Sequence, residues 1–412
     1  MMLEGAEMFL VILFATGTMA LSSSGGGHGA SGGFNLQAIR LLLLELLIIL
    51  SFFISSETPK WGAGTIAYMV YILWITYTLT YAPSFNYGFR YVLKYVFPLL
   101  MMLGASAIVR DEKVFLAICV WARRIALIST LVVLLPFLRR FFTGIFWYET
   151  ALQIHYVVIS AVSLALYFFY GKDKKDLLLA IYFVIPCVVE VHRTGLLAMF
   201  AGLAVFCFLK WKWISLPYIL SVLAIGIAIV FYVPSFHEKM FWKEGEKGQE
   251  LTIQDLREGN ITEDDIRNNG REATWEMLES LFYEGQEAKG NGIGSCQQYL
   301  YEHPGVKQTH GDYVQMRCDT GNIGMWLYII VAIMVFLDCT FTCFNPDVPN
   351  YIKACAIIAA SSVVGHYAGM YSENVVTYTM ATTGYSFGFY GIYLGLKSKW
   401  SAPKKQYKAN SL

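Results

Sequence analysis

The chain has 412 residues, 56% of them hydrophobic and 15% charged, with a net charge of +1 and a mean hydropathy of +0.49. Soluble globular domains carry about 25% charged residues, so this is the composition of an integral membrane protein. The balanced charge, with no basic stripe, argues against nucleic acid as a partner, and the 16% aromatic content suits a chain whose helix ends meet the membrane interface repeatedly.

Taken in chain order, the first apolar run is Met8 to Leu21. It lacks a basic leader, and the SSSGGGHGASGG that follows reads as a flexible loop more than a cleavage site. The run is therefore expected to stay as a first helix. With about 20 apolar residues to a span, the candidate spans are roughly 7–22, 36–54, 62–81, 90–109, 114–137, 149–170, 176–192, 194–210, 213–234, 323–344, 351–370 and 377–397, about twelve in all. The expected fold is all-α and polytopic. Membrane helices 1–9 fill residues 1–234, and one large extracytoplasmic loop with short amphipathic helices fills 235–322. Helices 10–12 fill 323–398, and a tail fills 399–412.

Orientation follows from Lys and Arg in the short loops. Lys60, Arg110, Lys113, the GKDKKD at 171–176, the KWK at 210–212 and Lys353 alternate onto one side, and the tail adds Lys397, Lys399, Lys404, Lys405 and Lys408. That side should be cytoplasmic, with both termini on it and the long polar segment outside. The opposite side holds Arg90, Lys94, Arg139, Arg140 and Arg193. They are either interfacial side chains that snorkel or ligands for an anion near the outer leaflet, since guanidinium binds phosphate with two parallel hydrogen bonds. Arg139 and Arg140 are candidate substrate-binding residues on the second reading. Charges inside apolar runs are costly, and for Glu45 and Asp338 structural pairing is expected.

Six of the eight cysteines lie in or beside apolar runs. Only Cys296 and Cys318 fall in the long polar segment, where a disulfide and two free thiols are both open readings. No Cys/His spacing resembles a zinc site, and neither metal nor cofactor is expected.

The candidate chemistry gathers at the outer boundary. Arg193, in EVHRTG, sits at a tight corner between two spans, where the next helix would start and offer N–H donors to an anion. Arg271 opens REATWEMLESL, whose Trp275, Leu278 and Leu281 fall on one helical face. KGNGIG lacks the context of a phosphate loop and suits close backbone approach. In THGDYVQM, just before a span re-enters the membrane, His310 is placed to act as general base on a sugar hydroxyl. Asp312 would orient it or bind sugar. Tyr313 and Asp319 stand beside it as substrate-binding candidates.

In this order and topology, Arg-Thr-Gly after a span, a long external loop with Arg-x-x-x-Trp and Gly-x-Gly, then His-x-Asp-Tyr and an acid before Gly-x-x-Gly resemble the O-antigen ligase/polymerase superfamily. Its members are bacterial membrane glycosyltransferases that use undecaprenyl-diphosphate-linked glycans. The resemblance implies a multi-pass enzyme of the bacterial inner membrane. Arg193 and Arg271 would bind the donor's diphosphate and His310 would be the catalytic base. The acceptor would be a glycan hydroxyl, on a lipid-linked chain or on lipid A-core. Transfer would be metal-independent and inverting. A surface-polysaccharide polymerase is preferred over a ligase. A flippase for the same lipid-linked sugars would instead call for charges at the midplane and discontinuous helices. Two departures from the family pattern stand out: Gly311 and Asp312 follow the histidine where Asn or Ser is common, and Asp319 replaces the usual Glu.

Overall fold

The computed structural model describes residues 5–15, 42–43, 45–46, 48–50, 57–135, 137–138, 150–241, 271–303 and 309–409. The regular elements among them are all helices: α1 (Gly5–Ala15), α2 (Ala63–Leu79), α3 (Phe85–Ile108), α4 (Glu112–Leu134), α5 (Thr150–Phe169), α6 (Lys174–Tyr182), α7 (Ile185–Val189), α8 (Arg193–Trp211), α9 (Leu216–Tyr232), α10 (Pro234–Met240), α11 (Arg271–Phe282), α12 (Ser295–Glu302), α13 (Asp312–Phe344), α14 (Asn350–Gly369) and α15 (Val375–Ala409).

Five stretches are long and apolar enough to cross a membrane: Phe85–Ile108, Glu112–Leu131, Arg193–Tyr232, Asp312–Phe344 and Asn350–Gly369. The third is a hairpin. Lys212, at φ 54°, ends α8, and Gly226 of α9 then faces the Phe200 ring of α8. The expected spans at 7–22 and 36–54 lie only partly within the described residues. The expected span at 176–192 is broken into the nine residues of α6 and the five of α7. Pro186 accounts for the break, because a proline lacks the N–H of the helical ladder and its ring collides with the carbonyl four residues back. That carbonyl belongs to Tyr182, the last residue of α6.

At the centre stands α14, packed by α5, α8, α13 and α15. Its sequence is rich in small residues, and Ala356, Ala359, Ala360, Ser361 and Ser362 are all buried. In a bilayer, where lipid is as apolar as leucine, close backbone approach rather than hydrophobic burial holds helices together. A Cβ on Gly202 of α8 would lie 2.9 Å from the Ser361 carbonyl, and one on Gly365 would lie 2.7 Å from that of Ala198. The intramembrane acid Asp338 is paired as expected: Lys397 Nζ lies 2.8 Å away, and Tyr390 and Tyr393 donate to it at 2.8 and 3.0 Å. Glu45 differs. It is buried, and its Oε1 has no hydrogen-bond partner among the described residues.

The helix ends sort into two faces. At one, the Lys60 N–H reaches Ser106, Lys210 lies over the Phe169 ring, and Lys397 meets Asp338. At the other, the starts of α8, α13 and α15 and the end of α14 come together, joined by α11 and α12. On α11, Thr274 and Leu278 are buried, whereas Leu281 is 51% exposed. The buried face thus differs from the expected 275/278/281 stripe. It is centred on Leu278, which packs with Cys296 and Cys318 and is flanked by Phe282, four residues on.

The glycine-rich loop fixes the bend in α13. Gly321, at φ 67° and ψ −176°, interrupts that helix, and the loop supplies N–H groups to carbonyls the bend frees. Asn291 donates to Cys318 and Gly292 to Asp319, each at 2.9 Å, while Asn322 donates back to Glu287 at 2.8 Å. This is the close backbone approach that KGNGIG suggests. A Cβ on Gly321 would lie 2.2 Å from the Ala288 carbonyl oxygen, so no other residue fits there.

Candidate active site

The site is built from four segments: the start of α11, residues 309–312, residues 370–374 and the first turn of α8. Arg271 and Trp275 lie one helical turn apart, hence on one face of α11. Trp275 Nε1 donates to the Thr309 carbonyl, and its ring lies 3.2 Å from where a Cβ on Gly311 would stand. The Gly311 N–H donates to Asn374 Oδ1 and the Asp312 N–H to the Met370 carbonyl, both at 3.0 Å. His310 is therefore fixed on both sides, and its φ of 43° puts it in the left-handed region that non-glycine residues rarely occupy.

His310 Nδ1 lies 3.1 Å from Glu373 Oε1, and Arg271 Nη2 lies 3.7 Å from the other carboxylate oxygen. Arg271 Nη1 also donates to the Ser372 carbonyl at 2.5 Å. The Glu373 side chain is 4% exposed, whereas that of His310 is 35% exposed. Burial alone would raise the Glu373 carboxyl. The hydrogen bond from His310 and the guanidinium of Arg271, with the His310 and His192 rings close by, outweigh it and hold the carboxyl below its usual range. The arrangement is an ionised carboxylate beneath an accessible imidazole, with a guanidinium alongside.

Arg193 opens α8. Its Nη1 lies 3.8 Å from the Met240 sulfur, and the next residue, Thr194, is joined to Ser372 through a 2.8 Å hydroxyl pair. The loop at 370–374 thus links the Arg193 and Arg271 segments. Arg139 and Arg140 lie outside the described residues.

The other expected residues are committed within the fold. Asp312 Oδ2 accepts from the Val376 N–H at 2.9 Å, which anchors the first turn of α15. Tyr313 donates to the Tyr367 carbonyl at 2.9 Å. Asp319, about 10 Å further along α13 at 1.5 Å per residue, accepts from the N–H groups of Gly294 and Cys296 and from Ser295 Oγ, at 2.9–3.0 Å. It caps α12.

Glu373 is the residue that sequence reasoning missed. Its signal was available, because the YSEN between the last two expected spans puts an acid on the same side as His310. Among the described residues no group of three or more His, Cys, Asp or Glu could hold a metal ion.

Residues 177–329 match the family model described as O-antigen ligase. The match takes in Arg193, Arg271, His310, Asp312 and Asp319 and stops short of Glu373. No curated protein matches the chain.

Proposed function

We propose that this multi-pass membrane protein, whose residues 177–329 match the family model described as O-antigen ligase, transfers a glycan from an undecaprenyl-diphosphate-linked donor to a hydroxyl of an acceptor glycan. The transfer takes place on the extracytoplasmic face of the bacterial inner membrane, with both termini cytoplasmic. The chain crosses the membrane about twelve times, an even count that puts both ends on one side. The observation that carries the chemical reading is the contact between His310 and Glu373. An ionised carboxylate only accepts hydrogen bonds, so Nδ1 of His310 carries the proton and Nε2 keeps its lone pair. That is the form a general base needs, oriented by its partner.

In the reaction, His310 Nε2 removes the proton from the acceptor hydroxyl as its oxygen attacks the anomeric carbon. Arg271 and Arg193 neutralise the departing diphosphate, which is electrostatic work best done where water is scarce. Arg139 and Arg140 complete the anion-binding track. Asp312, Tyr313 and Asp319 act from within the fold, where their hydrogen bonds keep the His310 loop and α12 in place for the sugar. Guanidinium groups take the part of a cation, so the transfer needs no metal and activity survives a chelator. Restoration of a chelator-inactivated enzyme by a divalent ion would overturn this. One displacement without a covalent intermediate inverts the anomeric centre.

The preferred role is a polymerase of surface polysaccharide. A ligase acting on lipid A-core is the second reading, favoured by the description of the matching family model. The glycan profile of a deletion strain separates them. Single repeat units only would mean polymerase, and full-length chains left on the lipid carrier would mean ligase.

A further inference from the structure

The site contains a second histidine, His192, and its hydrogen bonding is the reverse of that of His310. The Gly195 N–H lies 2.8 Å from His192 Nδ1. A backbone N–H can only donate, so this Nδ1 accepts, and the proton of the neutral ring sits on Nε2. His310 has its proton on Nδ1 and its lone pair on Nε2. One ring is fixed as an acceptor and the other as a donor. Two titratable groups held in opposite forms within one site point to a division of labour.

The placement supports this. The 2.8 Å bond between Thr194 and Ser372 pins the first turn of α8 against the loop carrying Glu373. His192 contributes to the electrostatic environment of the Glu373 carboxylate, and the Arg193 that follows it opens α8 beside the same loop. The backbone is strained on either side of the site. Of the four non-glycine residues with positive φ among the described residues, one is His310 and another is Val191, at 51°. A β-branched residue in the left-handed region is a genuine outlier, and such strain concentrates at functional sites. At Val191 it is held by the turn in which the His192 N–H donates to the Cys187 carbonyl at 2.9 Å, and it sets the direction in which His192 leaves the chain.

We propose that His192 is a further binding residue for the transfer reaction, with its Nε2–H donating to an oxygen of the anionic leaving diphosphate. This rests on the function proposed above. The bond from the acceptor oxygen to the anomeric carbon forms as the bond from that carbon to the phosphate oxygen breaks. The electron pair leaves with the diphosphate, and the hydroxyl proton passes to His310 Nε2 and from there to water. His192 keeps its proton throughout, and its hydrogen bond strengthens as charge collects on the leaving oxygen.

The test uses the purified full chain and inorganic pyrophosphate, titrated calorimetrically, alongside single-turnover transfer from a lipid-linked donor. Asn and Ser are both good N-caps, so His192→Asn and His192→Ser keep an acceptor for the Gly195 N–H and lose the ring N–H. Both variants should melt like the unaltered protein, bind pyrophosphate about tenfold or more weakly, as expected for a lost hydrogen bond to a charged group, and transfer more slowly with an unchanged KM for acceptor. His310→Ala should bind pyrophosphate normally. Normal pyrophosphate affinity and transfer rate in a folded His192 variant would overturn the inference and leave the proposed function standing. No binding of pyrophosphate or lipid-linked donor by the unaltered protein would overturn both.

Discussion

Arg271 and Trp275, one turn apart on α11, hold two different loops. Arg271 donates to the Ser372 carbonyl and Trp275 to that of Thr309. The Arg-x-x-x-Trp spacing is in this sense a clamp that brings Glu373 and His310 face to face. A planar fork can serve Ser372, Glu373 and a ligand together, whereas a lysine ammonium is a point charge on a flexible stem. Arg271→Lys is expected to lose most activity, and so is Arg193→Lys if it too grips the diphosphate as a fork. Steady-state transfer by the purified variants checks both, and near-normal turnover in either one would remove that arginine from the mechanism.

His310→Ala should leave donor affinity nearly intact while the transfer rate falls by about 10²–10⁴-fold, the usual effect of losing a general base. Glu373→Gln should also slow transfer, because an amide can donate to Nδ1 and no longer fixes the imidazole tautomer. Donor binding and single-turnover rates together decide this. Abolished donor binding in His310→Ala, with bound donor still transferred at full rate, would reverse the assignment.

The Glu373 carboxyl titrates below its usual range in the folded protein. Since its folded pKa is lower than its unfolded one, about 4.3, the native state favours the ionised form. The resulting stabilisation is fully present above the unfolded value and is lost as pH falls through the folded one. The difference in melting temperature between the unaltered protein and Glu373→Gln should therefore shrink as pH falls below about 4. A difference that grew on acidification below that point would contradict the assigned charge.

Much of this architecture was legible in the sequence, because apolar length and loop charge are one-dimensional signals. The start of α11 at Arg271 and the pairing of Asp338 could be read in that way. The break at Pro186 was visible too, yet a window of apolar residues averages over a single proline. The direction of α11 was not legible, because Leu278 and Leu281 are equally apolar and only the contact with Cys296 and Cys318 separates them. Nor was the internal use of Asp312 and Asp319. An acid beside a motif looks alike whether it meets a sugar or the first N–H groups of a neighbouring helix.

Gly321 gives a test of the loop–helix junction. Its backbone angles lie in a region open almost only to glycine, where another residue costs about 1–3 kcal/mol, and a methyl there would also collide with the Ala288 carbonyl. Gly285, at φ 78°, has nothing within 4 Å of an added Cβ. Gly321→Ala should thus lower the melting temperature more than Gly285→Ala, and equal effects would mean that the loop does not pack on the bend.

Cys296 and Cys318 are both free and buried in the small core around Leu278. Burial, followed by the neighbouring Cys318, raises the Cys296 thiol well above its usual range, so it should resist alkylation in the folded protein. Denaturation without reductant should then expose eight reactive thiols, matching the eight cysteines of the chain. Six would mean that two cysteines, with this pair the first candidates, form a disulfide.

Glu373 comes from the loop between α14 and α15. During synthesis His192, Arg271 and His310 all leave the ribosome before it does. Until the hairpin of α14 and α15 has formed, the His310 ring has no carboxylate beneath it, and the Thr194 hydroxyl and the Arg271 guanidinium have no residue 372 to hold. The order of translation thus fixes the order in which the parts of the site arrive. A nascent or truncated chain carries the His310 and Arg271 half of the site without the acid that completes it, and the two halves meet only once α14 and α15 have been made.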